Sequence, residues 1–251
     1  DGQWAAVVIE NERDEDVNEG ALPQLPGGSL VVVSTAAGKP ADWTLSTVEL
    51  TGMAERFPED PEPEYVDINA DNVAVVTLQE NNHIVLVDLK TASVIRHFPA
   101  GTVDLNAIDA TDERPNQVAF TETQRGVLRE PDGVTWISTR QFVTANEGDF
   151  KGGSRGFTVF NLDGSVAWDA GSSLEYAVAR IGHANDRRSD AKGNEPENAE
   201  FGRFGRTDYL FVASERSSVI AVQDLSTPNA PALKQLLPTG TAPEGVLAIP
   251  S

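Results

Sequence analysis

The chain has no cysteine. Disulfide frameworks and thiolate chemistry are therefore excluded, a pattern compatible with bacterial export although not proof of it. Basic residues are scarce: 19 Lys and Arg stand against 39 Asp and Glu, for a net charge of −20. A field of that sign repels nucleic acid and anionic membrane and attracts cations. Long apolar runs are missing too. None approaches the ~18–20 residues that span a bilayer, so no transmembrane segment is expected. No leader pattern starts at Asp1, which leaves a removed leader or a piece of a longer protein. Helical periodicity is nearly absent, with 174–181 the one short helix expected. The three histidines, His83, His97 and His183, lack the spacing of a zinc site.

What remains is β-sheet. The stretch 62–101 reads as a complete four-stranded unit, with strands at 65–68, 73–78, 83–89 and 93–98. Turns at Asn69–Asn72, Glu80-Asn81-Asn82 and Lys90–Ala92 separate them. Short Val- and Ile-rich runs with polar residues at each end are strand signals. One such sheet leaves both faces uncovered and needs neighbours of its own kind. Those neighbours are legible as a repeat. Glu12, Glu80, Glu147 and Glu215 follow apolar second strands at intervals of 67 or 68 residues. A proline–acid pair marks each lead-in turn: Pro63-Glu64, Pro131-Asp132, Pro196-Glu197 and Pro243-Glu244.

The repeat predicts an all-β chain: a β-propeller of four-stranded, WD40- or YVTN-like blades, with residues 1–251 as one domain or a segment of one. The first unit begins at its second strand, 4–9, followed by 30–34 and 44–50. The third has strands at 130–137, 141–145, 156–162 and 165–169, with Asp163-Gly164 as a tight turn. The fourth has 209–214, 218–224 and 233–237. Strand-like pieces at 103–109 and 117–121 connect the second and third units, and 171–198 is a charged irregular insertion. Glu244–Pro250 reads as a spare lead-in strand. A missing first strand and a spare last one suit a closed four-bladed ring. They also suit the favoured reading, about four blades of a larger propeller whose remaining blades would be partners.

Seven short motifs occur in order: LQENN (78–82), REPD (129–132), ANEGD (145–149), GGSRGF (152–157), KGNEPE (192–197), Ser-Glu-Arg (214–216) and LPTGTAPEG (237–245). Together they resemble a family of secreted or surface bacterial propellers labelled "esterase-like activity of phytase" or choice-of-anchor I. That family is related to the mesenchyme-specific cell-surface glycoprotein of biomineralising animals. The resemblance covers nearly the whole chain. It implies a secreted, periplasmic or cell-surface β-propeller, full-length members longer than this chain, and a phytase-like activity known only as a family label.

In a four-stranded blade, the loop into the first strand and the loop between the second and third strands lie on one face. Glu64, Asp132, Glu197 and Glu244 are therefore expected on the same rim as Glu12, Glu80, Glu147 and Glu215. Crowded carboxylates raise one another's pKa and cost stability. One remedy is a hard cation such as calcium, which takes roughly six to eight oxygens. Asn81, Asn82, Asn146, Asn194 and Asp149 would add oxygens nearby. The other remedy is arginine, and Arg129, Arg155 and Arg216 adjoin the same motifs.

Several tempting patterns carry less. Gly152-Gly153-Ser154-Arg155-Gly156 matches a nucleophile elbow, but an elbow needs a strand before it and a helix after it. Here an acidic loop precedes and a β-run follows, so Ser154 is expected in a Gly-rich turn. Asp14–Gly20 resembles the front of a calcium loop. Its glycine is one place late and Leu25 stands where the bidentate acid belongs, which leaves a solvated acidic loop or a looser calcium loop. His183 with Arg187 and Arg188 offers an anion site, against a plain surface loop. Trp4, Trp43, Trp136 and Trp168 fall in or beside strands and are expected in the core.

Two function classes follow. The first is a non-catalytic surface module whose acidic rim binds calcium, a glycan or a protein. The second is a cation-dependent phosphoesterase, a phytase- or alkaline-phosphatase-like hydrolase acting on a phosphate ester. There the rim metal would polarise a phosphoryl oxygen and activate water, with Arg155, Arg187, Arg188 and Arg216 as the phosphate grip. The first is preferred, because fold analogy does not establish activity.

Overall fold

Five antiparallel sheets hold the strands of residues 2–249, the part of the chain that the computed structural model describes. The first has three strands, β1 (Trp4–Ile9), β2 (Ser29–Ser34) and β3 (Thr44–Glu49). The second has four, β4 (Pro63–Ile68), β5 (Val73–Leu78), β6 (His83–Asp88) and β7 (Ser93–Pro99). A two-stranded hairpin, β8 (Thr102–Ile108) and β9 (Glu122–Leu128), follows. The third large sheet is β10 (Val134–Trp136), β11 (Gln141–Ala145), β12 (Phe157–Asn161) and β13 (Val166–Asp169). A helix, α1 (Ser173–Arg180), opens the insertion before the last sheet. That sheet is β14 (Pro196–Phe204), β15 (Thr207–Ser214), β16 (Val219–Asp224) and β17 (Ala232–Pro238). In all four large sheets the strands lie in sequence order.

The middle strands explain how the sheets stack. β5 and β6 are buried on both faces, and their side chains divide by alternation. Ala74, Val76, Leu78, Val85 and Val87 pack against Leu30, Val32 and Val48 of the first sheet. Val75, Ile84 and Leu86 turn the other way, onto Val134, Trp136, Phe142 and Phe160 of the third. A third cluster joins Val143, Phe157 and Val159 to Leu210, Val212 and Ala221 of the fourth. The lead strands run side by side, β4 against β10 and β10 against β14, and β1 of the three-stranded first sheet lies against β4. Four sheets stacked face to face about adjacent inner strands are arranged like propeller blades. Among the described residues, the first and last sheets share no core cluster.

The expected strands of the second unit match, and Asp163-Gly164 does close the β12–β13 turn, with Gly164 at φ 90° and the Gly164 N–H donating to Asn161 O. Elsewhere the boundaries move. The piece at 117–121 is not a strand. Phe120 lies edge-on against Tyr176 of α1 at 4.8 Å, and the strand forms in the more polar 122–128 instead. The third unit's first strand is only Val134–Trp136; 130–133 is irregular backbone, with the Gly133 N–H donating to Glu197 O instead of to a strand of its own sheet. The fourth unit has a nine-residue first strand, part of which was read as insertion. Glu244–Pro250 is not a strand within its described part, up to Ile249; Pro250 lies outside the described residues. Ala248 packs over Gly202 of β14 and its N–H meets Glu200 Oε1 at 3.5 Å, a side-chain contact in place of a backbone ladder. Trp43 is 38% exposed, because β3 is an outer strand with one buried residue.

Candidate functional site

The lead-in turns of neighbouring blades are tied together at one end of the inner strands. Thr77 Oγ1 donates to the Asp132 carbonyl at 2.8 Å, and the Gly133 N–H donates to the Glu197 carbonyl at 2.9 Å. Gly133 has to be glycine. A Cβ there would lie 2.6 Å from Asn198 Cα and 2.7 Å from Glu197 O. That close approach is what sets Asp132 beside Glu197.

The result is a cleft of about 350 Å³ bordered by nine carboxylates. Glu10, Glu12 and Glu15 come from the first unit, Glu64 and Glu80 from the second, Asp132, Glu147 and Asp149 from the third, and Glu197 from the fourth. The one cation in the lining, Arg13, reaches across from the first unit. Its Nη2 lies 2.5 Å from Asp149 Oδ2 and its guanidinium sits 5.6 Å from the Phe150 ring. Carboxylate oxygens of Asp132, Glu147 and Glu197 fall within 4.8 Å of one another, as do those of Glu195, Glu197 and Glu215. Glu197 belongs to both groups.

The two sides of this cleft differ in how their charge is met. On the fourth-blade side, Lys192 Nζ lies 2.5 Å from Glu147, which also accepts from Gln79 Nε2 at 2.7 Å. Glu195 is fully buried and surrounded by Arg188 Nε at 2.7 Å, Arg216 Nε at 3.2 Å and Lys192 Nζ at 3.5 Å. Arg216 Nη1 also pairs with Glu215 at 2.5 Å. On the other side, Glu64, Glu80 and Asp132 have no ion pair among the described residues. Glu80 Oε2 and Asp132 Oδ1 are buried with no hydrogen-bond partner.

The protonation equilibria follow from this. Burial, with Glu62 as the nearest like charge, holds the Glu80 carboxyl well above its usual range. Burial does the same to Asp132, and Glu64 and Glu147 add to it. Glu64 rises to about 7 through burial and the adjacent Glu10. Glu62, beneath the cleft, rises to about 8 through burial and Asp60. Glu197 is raised by burial and then by Glu147. Glu147 is raised by burial while Lys192 pulls it back. At neutral pH such a site holds protons or a cation in their place. All its donors are oxygens, which suits a hard cation of the calcium type.

The other expected residues have different roles. Asn81 Oδ1 accepts the Glu62 N–H at 2.9 Å and Nδ2 donates to Arg56 and Asp60 carbonyls, so its amide holds the preceding loop. Asn82 joins Gly101 O to the Glu130 N–H. Asn146 is fully buried among Thr144, Ser154 and Thr158. Asn194 is buried beside Asp109, away from the cleft. Arg129 pairs with Asp169 at 2.9 Å, and Arg155 is enclosed by Asp109 O, Ser189 O and Glu175. Glu244 is exposed and joins neither carboxylate group. Ser154 is 1% exposed and accepts from Asn146, a turn residue as expected. His83 Nε2 faces His97 Nδ1 at 3.0 Å, and His183 Nδ1 meets Ser217 O at 2.8 Å.

Glu10, Arg13, Glu62, Glu130, Lys192 and Glu195 were not anticipated. A signal for three of them was present. The lead-in motif is not proline–acid but Glu-Pro-acid: Glu62-Pro63-Glu64, Glu130-Pro131-Asp132 and Glu195-Pro196-Glu197. The first glutamate of each is buried, at 1%, 0% and 0% exposure. The fourth copy, Ala242-Pro243-Glu244, lacks it and lies outside the cleft.

A family model described as "Choice-of-anchor I domain" matches residues 1–152 and 150–228. No curated protein matches the chain. Among solved structures, a functionally unknown protein from Desulfotomaculum acetoxidans is similar, with 12% identity, TM-score 0.45, 86% of this chain and 51% of that one covered. A Lactobacillus plantarum protein gives 15%, 0.43, 84% and 51%. A Pseudomonas aeruginosa periplasmic gluconolactonase gives 13%, 0.38, 87% and 66%. The chain thus spans about half the length of the first two structures, 51% of each.

Proposed function

The chain belongs to the choice-of-anchor I domain family, a family of secreted or cell-surface proteins, and from that premise we propose a propeller segment whose acidic cleft binds calcium. The segment works as a binding module outside the cytoplasm, joined to further blades of a longer propeller. Calcium bridges the Asp132–Glu147–Glu197 group and presents a charged platform to a surface partner such as a glycan or a protein. The observation that carries this reading is the uncompensated side of the cleft. Glu80 and Asp132 keep buried oxygens with no donor, amid nine carboxylates and one lining arginine. An uncompensated arrangement of that kind is costly, and a divalent cation relieves it.

The alternative, a phosphoesterase, needs cationic side chains free to grip phosphate. Arg155 is enclosed by carbonyls and Glu175, Arg188 and Arg216 pair with Glu195 and Glu215, and Arg187 is exposed but does not line the cleft. No observation favours that reading over the binding module.

Calorimetric titration with calcium tests the proposal. The wild type takes up calcium, and Glu197→Gln and Glu147→Gln weaken uptake. A folded wild-type protein that gives no binding heat and the same melting curve in calcium and chelator would refute it. At 100 times the dissociation constant, binding raises stability by roughly 2.7 kcal/mol.

A further inference from the structure

A second carboxylate cluster lies away from the cleft. Asp109 follows β8 directly, Glu113 stands in the β8–β9 loop, and Asp186 begins a 3-10 turn in the insertion between α1 and β14. One carboxylate oxygen of each lies within 4.8 Å of the other two. Asp109 and Asp186 are 2% and 3% exposed. Neither oxygen of Asp186 has a hydrogen-bond partner, nor do Asp109 Oδ1 and Glu113 Oε2. Each of the three clustered carboxylates thus keeps at least one buried oxygen without a donor. Three neighbouring cations are engaged elsewhere: Arg114 with Asp112 at 3.0 Å, Arg155 with Glu175 at 3.1 Å and Arg188 with Glu195 at 2.7 Å; Arg187, next to Asp186 in the 3-10 turn, is exposed.

The surroundings hold the cluster in place. Buried Arg155 donates to the Asp109 carbonyl at 2.8 Å and to the Ser189 carbonyl at 2.7 Å. Ser189 Oγ donates to Asp109 Oδ2 at 3.1 Å. The two loops are therefore fixed relative to each other before any ligand arrives, which lowers the entropy cost of binding.

We propose that Asp109, Glu113 and Asp186 form a structural calcium site that clamps the β8–β9 loop onto the insertion before β14. Its donors are all carboxylate oxygens, as a hard cation requires, and water completes a shell of roughly six to eight. Asp109 has a donor, Ser189, and Asp186 has none; two such buried carboxylates repel one another, and a divalent ion turns that repulsion into a cross-link. This site is independent of the cleft: the two share no residue. It gives the acidic lead-in turn of the fourth blade a fixed backing, because Asp186 and Glu195 lie on the same loop.

Amide hydrogen exchange of the whole chain, with calcium alone as the probe, tests the site. Calcium at about 100 times its dissociation constant should slow exchange in 109–118 and 183–190 by roughly 100-fold where exchange follows local opening. Asp186→Asn and Glu113→Gln should abolish that protection. Glu197→Gln, in the cleft, should leave it intact. Without calcium, Asp186→Asn should melt no lower than the wild type, since it removes an unpaired buried charge. Glu113 is only half buried, so its variant serves should Asp186→Asn fail to fold. Unchanged exchange of these segments in calcium overturns the proposal. So does protection that survives in Glu113→Gln, or protection lost in Glu197→Gln alone, which would assign the ion to the cleft.

Discussion

Glu62 and Glu195 occupy the same place in two blades, immediately before the lead-in proline, and both are buried. Their surroundings are opposite. Arg188, Lys192 and Arg216 approach Glu195, whereas neither oxygen of Glu62 has a hydrogen-bond partner and the like charge of Asp60 bears on it most. Glu130, the equivalent in the third blade, takes a third course. Its carboxylate accepts the backbone N–H groups of Asp149, Phe150 and Lys151 at 2.9–3.1 Å, which shapes the loop that carries Asp149. One repeated acid is thus met by cations, by backbone donors or by nothing. Salt bridges, one of the two remedies read from the sequence, meet the acids on the fourth-blade side; the proposed cation would serve the other side, with Glu147 where the two meet.

The largest expected effect breaks the compensated side. Glu195→Gln leaves three cationic groups facing a neutral amide in a buried position and should lower stability by about 3 kcal/mol. The loss should be the same in calcium and in chelator, read from denaturant midpoints. A midpoint within error of the wild type would mean that the network around Glu195 contributes nothing.

The next effect is on pH dependence. Glu62 and Glu64 titrate in the folded protein near about 8 and about 7, against a usual 4.5, because burial and neighbouring acids disfavour their charged forms. The folded state therefore binds more protons than the unfolded one between those limits, and stability falls as pH rises. In chelator, the melting temperature should drop by roughly 3 °C between pH 5 and pH 8. Calcium, by favouring the ionised carboxylates, should flatten that slope. A melting temperature that rises over this range in chelator would reverse the assignment of the uncompensated side.

The smallest effect has the opposite sign to the first. Glu62→Gln removes a buried charge that has no partner and should raise stability in chelator by about 1 kcal/mol. Destabilisation of the same size as Glu195→Gln would erase the distinction between the two blades.

The fold was legible wherever short apolar runs were continuous. β5 and β6 are apolar at nearly every position because both of their faces meet another sheet, and such runs stand out in any sequence. β9 and β14 did not stand out. β9 is an exposed hairpin strand with Gly126 inside it, and β14 carries Glu197 at the cleft and Glu200 and Arg203 at a separate groove beside Asp67 and Trp136. In the cleft, Glu64, Glu80, Asp132, Glu147 and Glu197 were legible from spacing, since repeated blades return the same loop to the same face. Arg13 and Lys192 were not, because both lie in irregular loops whose reach depends on packing. Asn81 and Asn146 were misjudged because a buried amide beside a turn serves the backbone first.

The most direct measurement is a crystal structure of the protein grown in calcium, with anomalous scattering used to locate the ion. The account predicts an anomalous peak coordinated by Asp132, Glu147 and Glu197, with those carboxylates within roughly 2.3–2.6 Å of it. A well-ordered cleft with the same three carboxylates in place, water alone between them and no anomalous signal would contradict it.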